Sequence, residues 1–248
     1  MSIRTLDNQH VVIVGGSRGI GLATGILAKK LGADVTLISR DAEKLKQTAE
    51  QIGDTRTAIA DFADETAVNA AFAALPTIHH VYIAAGSFVG GNVLEGSMAD
   101  FRRAIDTRIW GAVHVVRAAV PNVVRAAVPK MNGTGSFTFT GGLSTDRPVA
   151  GAWPTAVATA AAEQLARALA LELAPIRANA VSPGWTDTPM WDSILGSEKQ
   201  NVFGGVATQV PVKRLSTAAD VAQAVIFLMN SETITGEVVH VDGGHRLV

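Results

Sequence analysis

Val11-Val12-Ile13-Val14-Gly15-Gly16-Ser17-Arg18-Gly19-Ile20-Gly21 decides the reading of this chain. Four consecutive β-branched residues make a strand apolar on both faces, as in a parallel sheet covered on each side. The glycines that follow let the chain turn tightly and let backbone come close to a bound group. A helix beginning at Ile20 then offers unpaired N–H groups and a partial positive charge at its start. Strand, glycine turn and helix together cradle a pyrophosphate. A glycine pattern without that context carries far less weight.

The next strand ends at Ile38-Ser39-Arg40-Asp41. A carboxylate at that strand end grips an adenosine 2′-hydroxyl and selects NAD. Ser39 and Arg40 place a hydroxyl and a guanidinium there instead, and Arg18 in the turn reaches the same region. A fork of N–H donors suits a 2′-phosphate, so the cofactor expected is NADP(H). Asp41 reads as the N-cap of the following helix.

Outward from this unit, short apolar runs alternate with alanine-rich stretches. Strands are expected at Val11–Val14, Asp34–Ile38, Thr57–Ala60, His80–Ala84, Ser136–Thr140, Ala178–Val181 and Val238–Val241. Helices are expected at Ile20–Leu31, Ala42–Ile52, Glu65–Ala74, Met98–Val120, Thr155–Leu173 and Ala219–Met229. The alternation implies an α/β protein with a doubly wound parallel sheet, Rossmann-like, in three αβα layers. No Pro/Ser/Gly-rich linker interrupts it, so residues 1–248 read as one domain. An eight-residue repeat, Val115–Asn122 and Val123–Lys130, reads as a tandem duplication that lengthens one helix, with Pro121 inside it.

Composition narrows the function classes. With 248 residues, 48% of them hydrophobic, the chain can build a large core and is not disordered. The formal net charge is −1, with no basic stripe, so nucleic acid is not an expected partner. Cysteine is absent, which removes disulfides, thiolate metal sites and a cysteine nucleophile. No His pair stands at helical spacing, and no metal is expected. The N-terminal segment lacks a secretory core and no run is long and apolar enough for a span, so a cytoplasmic protein without a membrane partner is expected. His79 and His80 read as surface loop residues, and His114 as a packed helix residue. Ser144 and Ser182 have no evident base neighbour, which argues against a hydrolase triad.

Several further motifs extend the pattern. They are Asp61-Phe62 after the third strand, Ala84-Ala85-Gly86 after the fourth, Asn179-Ala180-Val181-Ser182-Pro183-Gly184, and Thr235 to Gly244 near the end. With the glycine turn, they make the whole chain resemble the short-chain dehydrogenase/reductase family. The resemblance implies a Rossmann-like oxidoreductase acting on a small molecule, as a homodimer or homotetramer. It also implies that Gly15, Ser17, Arg18, Gly19, Ile20, Gly21, Ser39 and Arg40 bind the cofactor's phosphate end. Asp61 and Phe62 fall by the adenine, and Ala84, Ala85 and Gly86 along the nicotinamide-side ribose. Pro183, Gly184, Thr186 and Thr188 fall by the nicotinamide.

The family's proton chemistry is what the sequence lacks. The resemblance implies a Ser, a Tyr four residues before a Lys, and an Asn. Here Gly142, Thr155, Thr159 and Arg108 occupy those positions, and the one tyrosine, Tyr82, lies in the fourth strand. A threonine hydroxyl is too weak an acid to replace the tyrosine near neutral pH. Two charged residues fall near the vacated place, Arg108 and Asp146. An anionic Asp146 suits a cationic C=N⁺ group, which accepts hydride without needing a proton. Trp153, Trp185 and Trp191 can line an aromatic pocket that tolerates a cation. The reading is therefore a reductase with a non-standard site, acting on an imine, iminium or other activated acceptor. Two alternatives stay open: an inactive NADP(H)-binding scaffold or sensor, and a non-redox cyclase or lyase on the same fold.

Overall fold

The computed structural model describes residues 5–84, 86, 88–127 and 135–248. Seven parallel strands form the central sheet. They are β1 (His10–Val14), β2 (Asp34–Ser39), β3 (Arg56–Ile59), β4 (His80–Ile83), β5 (Ser136–Thr140), β6 (Arg177–Pro183) and, last along the chain, β9 (Val238–Val241). Their spatial order is β3-β2-β1-β4-β5-β6-β9. A second, two-stranded parallel pair joins β7 (Thr186–Asp187) to β8 (Ser216–Thr217).

The helices are α1 (Gly19–Lys30), α2 (Ala42–Ile52), α3 (Glu65–Ala73), α4 (Met98–Ile105), α5 (Gly111–Ala127), α6 (Trp153–Glu172), α7 (Met190–Leu195), α8 (Lys199–Gln209) and α9 (Ala218–Asn230). The strand alternation sets two cores. Val12 and Val14 of β1 join Val115, Phe137 and Phe139 on one face. Val11 and Ile13 join Val35, Leu37, Val225 and Met229 on the other. Successive side chains of a strand point to opposite faces, and a run with no polar member needs cover on both. The sheet is therefore the middle layer of three, as expected from the sequence.

Local chemistry sets the helix starts. Asp41 caps α2 as expected, its carboxylate accepting from Lys44 N at 3.1 Å. Asp64 does the same for α3, and Thr217 with Asp220 forms a full capping box at α9. In α6, Pro154 stands in the first turn, where a missing N–H costs nothing, so that helix opens two residues before the expected Thr155.

Three expectations need correction. The single helix expected over Met98–Val120 is two α-helices joined by a wide π turn at Asp106–Trp110. The second of them runs through Pro121 to Ala127, while the end of the repeat, residues 128–130, lies outside the described residues. Helices α7 and α8 were not expected. α8 forms although it carries Gly204 and Gly205, and Phe203 is its buried residue. Finally, His80 is buried rather than a surface loop residue, with Nε2 bonded to Gln9 Oε1 at 2.6 Å and Nδ1 to Ser136 Oγ at 2.7 Å. Burial, with Arg177 and His79 nearby, lowers its pKa to about 3. His114 is packed as expected, its Nδ1 bonded to Phe62 O at 2.9 Å.

Candidate active site

The strand ends that carry the glycine turn open into a cleft of about 480 Å³. Strand order reverses its direction of growth between β1 and β4, the place where open α/β sheets form ligand crevices. At the β1 end, Gly15 and Gly19 have φ of +86° and +56°, left-handed values that favour glycine. A Cβ at Gly21 would collide with the Gly15 carbonyl, so the turn closes on the start of α1 only without a side chain there. The glycine turn and helix start that the sequence predicts are formed.

Beside it, Ser17 Oγ and Ser39 Oγ hydrogen-bond each other at 3.0 Å. Arg40 stands 4.0 Å from Asp61, its side chain 61% exposed. Gly15, Ser17, Arg18, Gly19, Ile20 and Gly21 all line the cleft, as do Ser39, Arg40, Asp61 and Phe62. Farther along, Ala84, Gly86, Pro183, Gly184, Thr186 and Thr188 line it too. Ala85 lies outside the described residues. Backbone donors, two hydroxyls and the guanidinium groups of Arg18 and Arg40, the latter only loosely paired with Asp61, fit a dinucleotide with a phosphorylated ribose.

The opposite end of the cleft holds Arg108, Gly142, Thr155 and Thr159. The Thr155 hydroxyl is committed in both directions: it accepts from Val89 N at 2.9 Å and donates to Val89 O at 3.0 Å. It pins the loop after β4 to α6. The Thr159 hydroxyl donates back into its own helix and meets Thr145 Oγ1 at 3.2 Å. Neither group is placed as an acid. Tyr82 is buried within the sheet, its hydroxyl 3.1 Å from Thr140 Oγ1, and burial raises its pKa.

Arg108 projects from the π turn, a helix irregularity frequent at functional sites. Its Nη1 reaches Thr140 O at 3.4 Å, and its Nε is sealed from solvent with no partner among the described residues. Burial lowers its pKa to about 10, which leaves the group cationic near neutral pH. A Cβ at Gly86 would lie 2.5 Å from Arg108 Cζ, so that glycine makes room for the guanidinium.

Asp146 is placed differently from the sequence expectation. It is not among the residues lining the cleft. Its carboxylate turns to His240 Nε2 at 2.9 Å and is 42% exposed. Counting along the loop gave its position but not its direction, which the turn at Leu143–Thr145 sets. The aromatic expectation holds in part. Trp185 and Trp191 line the cleft and stack with centroids 4.4 Å apart, whereas Trp153 packs edge-on against Phe101 at 4.8 Å.

Two groups escaped sequence reasoning. Glu163, 2% exposed, lies one turn beyond Thr159 and accepts from Gly142 N at 3.1 Å and Thr145 Oγ1 at 3.2 Å. A Cβ at Gly141 would collide with this carboxylate, so consecutive glycines mark its seat. The i, i+4, i+8 spacing of Thr155, Thr159 and Glu163 was the available signal. His245 is buried at the cleft wall with Nδ1 unpartnered among the described residues, and Arg147 Nη1 donates to its carbonyl at 2.8 Å. Nothing in the local sequence marks it. Among the described residues no group of three metal-ligating side chains is present, and no helix is long and apolar enough to cross a membrane.

Comparison with known proteins covers nearly the whole chain. A family model described as Enoyl-(Acyl carrier protein) reductase matches residues 14–246. Oxidoreductase UcpA of Salmonella typhimurium is 32% identical over 98% of this chain and 96% of its own. Carbonyl reductase family member 4 of Danio rerio is 30% identical, covering 97% of this chain and 99% of its own. Among solved structures, a short chain dehydrogenase/reductase family protein is 30% identical with a TM-score of 0.88, over 98% of this chain and 99% of its own. A small-chain dehydrogenase in complex with NADPH is 28% identical with a TM-score of 0.82, over 98% and 100%.

Proposed function

Because the chain belongs to the short-chain dehydrogenase/reductase family, we propose that it is an NADP(H)-dependent oxidoreductase reducing an imine or another activated acceptor. The carrying observation is Thr155. At the place where the family has its tyrosine acid, this hydroxyl is spent on both main-chain groups of Val89. An acceptor that needs no proton in step with hydride transfer suits such a site.

When bound, NADPH supplies the hydride. The chain's own residues do the rest. The glycine turn and the start of α1 receive the pyrophosphate, and Ser17, Ser39, Arg18 and Arg40 hold the 2′-phosphate. A solved relative bound to NADPH supports this assignment. Thr155 and Val89 fix the loop that borders the acceptor. Trp185 and Trp191 offer a flat apolar wall that excludes water. With Asp146 turned to His240, no carboxylate from that loop faces the acceptor, and Arg108 disfavours a permanent cation. That arrangement weighs against a cationic iminium, and because a neutral imine needs a proton as hydride arrives, an electron-poor alkene, whose developing negative charge is delocalised, suits the site best among activated acceptors.

The test is equilibrium binding of NADPH by fluorescence, then turnover on a panel of cyclic imines, electron-poor alkenes and unactivated ketones. Binding with turnover on the activated members is the expected result. Absence of binding at high micromolar cofactor refutes the reading, and so does equal turnover on unactivated ketones. Binding without any turnover assigns the chain to a cofactor-binding scaffold. A homodimer or homotetramer is part of the reading and is checked by light scattering.

A further inference from the structure

We infer that Arg108 receives a carboxylate on the substrate, so that the acceptor is a small anionic molecule with a flat apolar body. This rests on the reading of the cleft as a hydride-transfer site and adds the charge of what enters it.

A guanidinium held away from water is costly unless paired, because desolvation penalises an ion and only a counter-charge or good hydrogen bonds repay it. Arg108 has neither in full. It makes one long bond to Thr140 O, and its Nε has no partner among the described residues. Its electrostatic neighbour is Tyr82, which burial keeps neutral near neutral pH, and among the described residues no carboxylate forms an ion pair with it. Yet the chain makes room for this group: Gly86 leaves the space that Arg108 Cζ fills, and the π turn carries it there. A cation seated at a cleft wall with donors uncommitted is arranged for an anion from outside the chain.

The cofactor's phosphates do not supply that anion. They belong to the cradle at the end of β1, whereas Arg108 lies against Gly86 and Thr140, past the ends of β4 and β5. The other charged groups at this end are cationic or spent. Arg147 donates to the His245 carbonyl, the Glu163 carboxylate is turned to Gly142 N and Thr145 Oγ1, and Asp61, the acid among the cleft-lining residues, stands at the other end beside Arg40. Phe88, Trp185 and Trp191 add the apolar wall. A planar carboxylate matches the guanidinium fork, and an aromatic or conjugated body matches the wall.

Benzoate and benzamide, nearly isosteric and differing in charge, are the probes. Each is titrated by calorimetry into the full-length protein, with and without saturating NADP⁺, for wild type, Arg108→Lys and Arg108→Met. We expect benzoate to bind wild type at least about tenfold more tightly than benzamide. Arg108→Lys keeps part of that preference and Arg108→Met removes it, while NADP⁺ affinity is unchanged in both. Arg108→Met melts no lower than wild type, because it removes a partly buried ion without a counter-charge. Equal binding of the two probes to wild type overturns the inference, as does a benzoate preference that survives in Arg108→Met. A melting temperature well below wild type in Arg108→Met also overturns it, since the guanidinium is then a structural tie. Failure of wild type to bind NADP⁺ refutes the proposed function instead, and the cofactor-free titrations still decide the role of Arg108.

Discussion

If the cleft takes NADP(H) as proposed, Arg40 is the residue that selects it over NAD(H), and its replacement gives a sharp test. Its guanidinium projects from the end of β2 beside Ser39, and the nearest anion is Asp61 at 4.0 Å. That spacing is a weak, solvated pair, so the donors remain available to a 2′-phosphate. A hydrogen bond to a charged group contributes about 1.5–3 kcal/mol. The Arg40 side chain is 61% exposed, so solvent screening holds it to the low end of that range. Arg40→Ala should therefore weaken NADPH binding about tenfold, since ~1.4 kcal/mol is one decade. NADH lacks the 2′-phosphate and should change by less than about twofold on the same scale. The assay is equilibrium fluorescence titration of both dinucleotides, repeated near 0.1 M and 1 M salt, where the Debye length falls from about 10 Å to about 3 Å. The NADPH preference should shrink with salt in wild type and depend little on salt in Arg40→Ala. Parallel weakening of both dinucleotides, or equal affinity for both in wild type, would refute the reasoning.

Four other perturbations separate the parts of the site. Gly21→Ala drives a methyl group into the Gly15 carbonyl. It should cost about 1–3 kcal/mol of stability, read by denaturant melts, and should abolish measurable cofactor binding by titration. Thr155→Val leaves both main-chain groups of Val89 without their partner and should cost about 1–3 kcal/mol. Its kinetic effect should appear in KM for the acceptor; a collapse of kcat at constant KM would instead make Thr155 an acid. Asp146→Asn should leave turnover within about twofold, because an exposed pair with His240 contributes at most about 1 kcal/mol and does not line the cleft. His80 carries a pH signature. Its folded pKa, about 3, lies below the unfolded value of 6.5, so the stability it contributes is whole above pH 6.5 and drains as pH falls toward 3. Denaturant unfolding should show about 1.4 kcal/mol less stability at pH 5.5 than at pH 7.5 from this residue, and His80→Gln should flatten that slope.

Most strands of the central sheet were legible as runs of apolar, aromatic or β-branched residues, and β5 and β9 have the expected bounds, Ser136–Thr140 and Val238–Val241. The cofactor cradle was legible because its glycines answer to local backbone geometry. What escaped was set by distant partners. His80 follows a second histidine at the start of an apolar run, and only the pairing of β4 with β5 brings Ser136 against it. Helix α8 has weak propensity, with paired glycines, and owes its form to packing. Trp153 and Asp146 were in the right loops, but the facing of a side chain depends on turns that spacing along the chain does not encode. The π turn left no mark in the apolar pattern at all, and it is what separates α4 from α5.

That wide turn makes the placement of Arg108 a matter of chain length as well as side-chain identity. Five residues occupy a stretch that an ordinary helix would wind more tightly, and the helices on either side keep separate buried faces, Phe101 and Ala104 in α4 and Ala112, Val115 and Ala119 in α5. Shortening Asp106–Trp110 by a single residue would relax the helix to regular winding. Because the π turn already absorbs one extra residue, that deletion would keep α4 and α5 nearly in phase with each other and shift only the phase of the side chains inside the turn, Arg108 among them. Point substitutions leave that phase untouched, so a scan confined to them would miss the determinant. Relatives that differ by one residue across this stretch would present another side chain to the same wall, and a deletion library would find what an alanine library cannot.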